Sequence, residues 1–322
     1  MRIALSSRMA NLVEARIRAA MPAAQLILVD PGSPISEEVR GATDIWFLSS
    51  DLIEAMKYDR DFATQCDRMA ETAPLRWVQS GSSGHERAIF RRITDRGAQL
   101  TSGAGIHSVP IAHYVLSHML ARVKRHRDHA SQQTARIWAQ LDQGELTGMT
   151  VGIAGFGSIG AEVARLCKAF GMHVRVCRRE AVLPSDADAV HAPAELDDMA
   201  RQCDFLVIAV PLTAQTAGMV TSAVLRAMKP GAGLINVARG PVVDEPALVA
   251  GLRAGSPAFA ILDVATVEPL PEESPLWGMP NVTITPHDSA WSPLAYQRLG
   301  DLFCDNLARF AAGKPMRNIV HM

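Results

Sequence analysis

The chain has 322 residues, 48% of them apolar, and its 32 basic side chains against 33 acidic ones leave a formal net charge of −1. That length exceeds one comfortable core and predicts two domains of ordinary size. The near-neutral balance excludes the strong field that draws a protein to nucleic acid or anionic lipid.

Five cysteines, at 66, 167, 177, 203 and 304, are scattered without a Cys-x-x-Cys pair. They read as reduced core thiols. Met1 to Leu5 opens as a short buried strand, and Arg8, Asn11 and Glu14 interrupt any signal-peptide core behind it. The longest apolar candidate, about Val109 to Ala121, holds His113 and His118 and is too short to span a bilayer. A soluble cytoplasmic protein is expected, with neither membrane nor nucleic acid as partner.

Short apolar runs alternate with helical patterns, which predicts a parallel α/β architecture. Arg2–Leu5, Gln25–Val29, Ile45–Leu48 and Trp77–Gln79 read as strands, with a helix over Leu12 to Met21. A stronger series follows at Thr150–Ala154, His173–Cys177, Phe205–Val210, Gly233–Val237, Ala260–Val264 and Val282–Thr285. Helical patterns include Ser222–Met228 and Glu245–Ala254. Gly103-Ala104-Gly105 and Leu146-Thr147-Gly148 mark two boundaries. Pro293 to Ala312 reads as a last amphipathic helix, stopped by Gly313-Lys314-Pro315.

Gly155-Phe156-Gly157-Ser158-Ile159-Gly160 follows a strand and opens a helix running to about Phe170. That is the context in which a glycine fingerprint binds a dinucleotide. Gly155 makes the tight turn, Gly157 admits a pyrophosphate, and Gly160 lets helix pack on strand. Anionic phosphates then meet free N–H groups at a helix N-terminus. At the end of the next strand, where an NAD enzyme carries a ribose-binding acid, stand Arg178 and Arg179, with Glu180 one step later. A guanidinium grips a 2′-phosphate that a carboxylate would repel, so NADP(H) is the preferred cofactor. The alternative has both arginines solvated and Glu180 on the ribose, with NAD(H) as cofactor.

Three polar residues each follow an apolar strand: Arg239, Glu268 and His287. Ligands of open α/β sheets bind beyond the carboxyl ends of the strands, so the three form a coherent candidate site.

In these segments the chain resembles the D-isomer-specific 2-hydroxyacid dehydrogenases, in particular the glyoxylate/hydroxypyruvate reductase type. The resemblance runs over about residues 75 to 320. It is carried by Gly152 to Gly160, Met228 through Gly240, Val243-Asp244-Glu245, Leu262 through Pro271, Ser274 through Trp277, and Asn281 through His287. It implies His287 as proton donor, Glu268 as the acid that orients it, and Arg239 as the group that binds the substrate carboxylate. It further implies backbone N–H groups of Ser82-Ser83-Gly84 on that carboxylate and Asp263 at the nicotinamide carboxamide. Val210, Pro211, Thr216, Val237 and Ala238 would line the cofactor. The implied architecture is a Rossmann domain, residues 101–290, with a smaller flavodoxin-like α/β substrate domain, residues 1–100 and 291–322. A homodimer is expected through about Val109 to Gly148.

His113 stands where the family often has an acid, and Asp288-Ser289-Ala290-Trp291 replaces a small apolar stretch. Trp291 is open to two readings, a wall of the substrate pocket or a core aromatic. His107, His113 and His118 do not share a helical face at i, i+4, so no metal is expected. Glu268 argues against a formate-type enzyme, whose family members pair the histidine with glutamine. An end at Met322 leaves no room for the regulatory domain of a phosphoglycerate dehydrogenase. Keeping an acid–base pair argues against a corepressor-like sensor.

Overall fold

The computed structural model describes residues 1–321 and divides them into two compact units. The first comprises Met1–His107 and the segment from Ser292 onward; the second is Ser108–Trp291. The expected C-terminal segment reached Met322, which lies outside the described residues.

In chain order the first unit contains β1 (Arg2–Leu5), α1 (Ser7–Ala20), β2 (Gln25–Leu28), α2 (Glu37–Ala42) and β3 (Ile45–Leu48). There follow α3 (Ser50–Tyr58), α4 (Arg60–Thr72), β4 (Trp77–Ser80), α5 (Ala88–Asp95) and β5 (Gln99–Thr101). Its sheet is wholly parallel with order β2-β1-β3-β4-β5, the flavodoxin-like arrangement. Helix α1 starts five residues earlier than its apolar pattern predicts, because the Ser6 hydroxyl caps the N–H of Met9. Strand β5 escapes sequence reading because it is three residues long and begins on an exposed glutamine.

The second unit contains α6 (Ser108–Val123), α7 (His126–Ala135), β6 (Thr150–Ala154), α8 (Ser158–Ala169), β7 (His173–Cys177) and β8 (Ala189–His191). It continues with α9 (Leu196–Ala200), β9 (Phe205–Ile208), α10 (Ser222–Ala227), β10 (Gly233–Asn236), α11 (Glu245–Ala254), β11 (Phe259–Leu262) and β12 (Val282–Ile284). The seven strands lie parallel in the order β12-β11-β10-β9-β6-β7-β8. This is the Rossmann order with one strand added, and the order reverses between β6 and β9. The edge strand β8 is only half-buried, which is why its apolar signal is weak.

The last helix, α12 (Pro293–Ala311), belongs to the first unit. It buries Leu299, Phe303 and Leu307 in one cluster with Met9, Val13 and Ile17 of α1. Phe303 stacks on Phe47 at 4.1 Å and on Trp77 at 5.2 Å, and the second pair falls within the range where aromatic rings attract beyond their burial. A buried polar thread runs beneath: Trp77 Nε1 donates to Thr101 Oγ1 at 2.8 Å, and Asn306 Nδ2 to Gln79 Oε1 at 3.0 Å.

All five cysteines are buried and unpaired. Burial pushes the thiols of Cys66, Cys167 and Cys203 up to about 12 and that of Cys177 up to about 11. They are small core side chains and not nucleophiles. No helix among the described residues is long and apolar enough to cross a membrane.

Candidate active site

The glycine-rich turn sits where the Rossmann sheet reverses its strand order, the place where such sheets bind ligands. Its three glycines answer to three different constraints. Gly155 has φ +102°, and a Cβ there would stand 2.7 Å from the Ala209 carbonyl, so β6 and β9 can close only around a glycine. A Cβ on Gly160 would meet the Gly155 oxygen at 2.1 Å, which fixes how closely α8 approaches the turn. At Gly157 a Cβ would meet nothing within 4 Å. That open, exposed position at the start of α8, beside Ser158, is a cradle with room for a pyrophosphate on free N–H groups. Ile159 points its side chain to the core. The residues present therefore fit a dinucleotide.

Arg178 follows β7, its backbone N–H bonded to His191 O at 3.0 Å. Its guanidinium is ion-paired with Glu180 and lies 5.9 Å from the centre of the Phe156 ring. Arg179 is exposed. After β9, Val210 is half-buried and Pro211 exposed, and Thr216 closes the following turn by donating to Pro211 O at 2.6 Å.

Arg239 is placed by an asparagine that the sequence reading passed over. Asn236, buried at the end of β10, accepts from Ala238 N at 3.0 Å and donates to Arg239 O at 3.1 Å. A buried amide in an apolar strand was the available signal. Val237 and Ala238 are buried within this turn, and Arg239, half-buried, donates from Nη1 to Ala238 O at 2.7 Å.

Glu268 belongs to the loop after β11. Its Oε1 accepts from Ala265 N at 3.2 Å, and the neighbouring Thr266 N donates to Glu245 Oε2 at 3.1 Å. Its Oε2 lies 2.8 Å from His287 Nδ1. Ionised, the carboxylate only accepts, so Nδ1 carries the hydrogen and Nε2 is the nitrogen left to exchange a proton. His287 itself comes after Pro286, which has no N–H to extend the ladder beyond Thr285. Here the chain turns, and His287 takes φ +57°.

Asp263, expected at the nicotinamide, is 2% exposed. Its Oδ1 accepts from Thr285 Oγ1 at 2.7 Å and from the backbone N–H groups of Asp288 at 3.0 Å and Ser289 at 3.1 Å. The Ser289 hydroxyl donates to Oδ2. Trp291 is 60% exposed, which removes the reading of a core aromatic.

The second unit thus brings Glu268 and His287 into contact. Ser82, Ser83 and Gly84 lie in the first unit, after β4. There Ser82 N donates to Ser80 Oγ at 3.0 Å, so a serine side chain already holds one of the three N–H groups expected to face a carboxylate. His113 is exposed, and burial lowers the pKa of His118. No group of three or more metal-ligating side chains is found among the described residues.

Comparison with known proteins agrees with this reading of the fold. The family described as D-isomer specific 2-hydroxyacid dehydrogenase, NAD binding domain, matches residues 116–289. A glyoxylate reductase of Aeropyrum pernix is 32% identical over 267 residues, 80% of this chain and 79% of its own. A D-isomer specific 2-hydroxyacid dehydrogenase family protein of Aeromonas salmonicida superposes with a TM-score of 0.84 at 30% identity, over 99% of this chain and 98% of that one. An NADPH-dependent glyoxylate/hydroxypyruvate reductase of Sinorhizobium meliloti, solved with NADP and sulfate, gives 0.81 at 26% identity, over 99% and 97%. Fold and site define an oxidoreductase that works with a nicotinamide dinucleotide on a 2-hydroxy or 2-keto acid. The chain belongs to the D-isomer specific 2-hydroxyacid dehydrogenase family.

Proposed function

We propose that this protein is an NADPH-dependent reductase of a small 2-keto acid of the glyoxylate and hydroxypyruvate class. It forms the D-2-hydroxy acid, with His287 as proton donor. The observation that carries the reading is the 2.8 Å contact of Glu268 Oε2 with His287 Nδ1. Bound along the Gly155–Gly160 turn, the reduced cofactor supplies the hydride for the carbonyl carbon. His287 Nε2 gives its proton to the carbonyl oxygen, and Glu268 stabilises the imidazolium and fixes its direction. Arg239 holds the substrate carboxylate and polarises the carbonyl by charge-assisted hydrogen bonds. Trp291 limits the pocket to short acids; a clear preference for a bulky aromatic keto acid would remove that role.

Arg178 and Arg179 select NADPH by gripping its 2′-phosphate. Glu180 favours the NADH reading, because it already pairs with Arg178 and would face a ribose hydroxyl comfortably. Oxidation of NADPH and NADH, followed side by side with glyoxylate or hydroxypyruvate, separates the two. NADPH should lead. Arg178→Ala combined with Arg179→Ala should shrink that lead by about 10- to 100-fold, the worth of a hydrogen bond to a charged group. Equal rates in the unaltered protein would discard the clamp, and no oxidation with either cofactor would sink the reductase itself.

A homodimer through residues 109–148 belongs to the same proposal. Ile137 and Trp138 support it: both are exposed in an irregular segment after α7, Trp138 completely. Apolar side chains displayed in this way mark association surfaces. In sedimentation, the unaltered chain should run as a dimer and Trp138→Asp should shift it toward monomer. A monomeric unaltered chain would end the idea.

A further inference from the structure

We propose that Tyr114 and Thr285 are positioning residues for His287, acting through the buried carboxylate of Asp263. The proposal rests on the reading of His287 as proton donor. Nothing in the spacing of the chain hints at it, since the two hydroxyls stand 171 residues apart in sequence and 2.8 Å apart in space.

The direction of the chain of hydrogen bonds follows from counting hydrogens. A threonine hydroxyl has one to give, and an ionised carboxylate can only accept. Thr285 Oγ1, 2.7 Å from Asp263 Oδ1, must donate there, so the Tyr114 hydroxyl is the donor to Thr285. Burial drives the Tyr114 phenol well above its ordinary range, so it keeps its hydrogen. Hydrogen bonds aligned head to tail in a low-dielectric interior polarise one another, and this one ends on a charge.

Asp263 holds the chain on both sides of the histidine, by a side chain before it and by backbone after it. Before it, the Thr285 hydroxyl is bound; after it, the N–H groups of Asp288 and Ser289 and the Ser289 hydroxyl are bound. Between those anchors His287 keeps φ +57°, a left-handed conformation that persists in a non-glycine residue when its surroundings over-determine it. Glu268 restrains the ring itself through Nδ1. His118, 4.4 Å from the Tyr114 ring, packs edge-on against it and fixes the phenol. With its oxygens turned inward, Asp263 acts on the reaction by aiming His287.

Removing the Thr285 hydroxyl leaves Tyr114 without its acceptor and takes one donor from Asp263. The loop relaxes and the imidazole loses its aim. In Thr285→Val, which keeps the shape, kcat should fall by about 10- to 100-fold, the scale of a misplacement near 1 Å. The Kd for NADPH should stay within about twofold, because Thr285→Val leaves the glycine turn untouched, and Thr285→Ser should restore most of the turnover, because it returns the hydroxyl that donates to Asp263. Tyr114→Phe, which keeps the ring, should lower kcat less. Combined with Thr285→Val it should add nothing, since Tyr114 acts only through Thr285. Unaltered turnover in a folded Thr285→Val protein, or additive losses in the double variant, would overturn the proposal.

A second readout does not depend on activity. The His287 Cε1–H proton resonance, assigned by its disappearance in His287→Gln, should be shifted or broadened in Thr285→Val and in Tyr114→Phe, and native-like in Thr285→Ser. An unchanged resonance in both of the first two refutes the positioning role. Full turnover in His287→Gln would instead refute the proton-donor reading, and the resonance would still decide the positioning.

Discussion

His287→Ala should lower kcat by about 10²- to 10⁴-fold, the usual contribution of a positioned general acid. NADPH affinity should be almost unchanged, because the glycine turn and the strand ends around it do not involve His287. Glu268→Gln separates the orienting role from the charge. The amide can still accept from Nδ1, yet it no longer stabilises the imidazolium, so its loss should be smaller than that of the alanine variant. Steady-state kinetics with a fluorescence titration of NADPH checks both. Turnover close to normal in His287→Ala would mean that another group donates the proton and that the Glu268–His287 pair serves the fold.

Gly240→Ala should be nearly as damaging although it removes no chemical group. A Cβ at residue 240 would stand 2.0 Å from the carbonyl carbon and oxygen of Ala265 and 2.3 Å from Thr266 N. These are backbone atoms of the loop that carries Glu268, and they cannot swing aside as a side chain would. The turn bearing Arg239 and the loop bearing Glu268 must therefore separate. Overpacking of this kind destabilises by about 3 kcal/mol, or roughly 10 °C in Tm for a unit of this size. Turnover should drop by about 100-fold as the two groups lose register. A thermal melt and kcat measured on the same preparation test this, and a variant native in both would show that the two loops are not clamped together.

Much of the fold was legible because parallel α/β sheets write themselves as apolar runs. Val151–Ala154, Phe205–Ile208 and Leu234–Asn236 are buried strands whose pattern needs no partner to be seen. Strands β5 and β8 were not, since three residues with exposed or half-buried positions carry too little pattern to stand out. Gly155, Gly157 and Gly160 could be read together because their spacing between a strand and a helix marks the turn, although the close approach of Ala209 to Gly155 comes from the neighbouring strand. The pairing of Arg178 with Glu180 could not, because rotamer choice at an exposed strand end leaves no mark in sequence.

By itself the sequence determined two α/β domains, a dinucleotide turn, and the identity of Arg239, Glu268 and His287 as the side chains to watch. These follow from periodicity, from local backbone demands and from residues placed at strand ends. Only the tertiary structure decided that Nδ1 of His287 meets Glu268, that Asp263 is sealed beneath the histidine loop, and that Tyr114 reaches Thr285. It also decided that Gly240 admits no side chain. Each of these depends on loops brought together by strand order and register, and a hydrogen bond across 171 residues exists only once the sheet has set both ends in place.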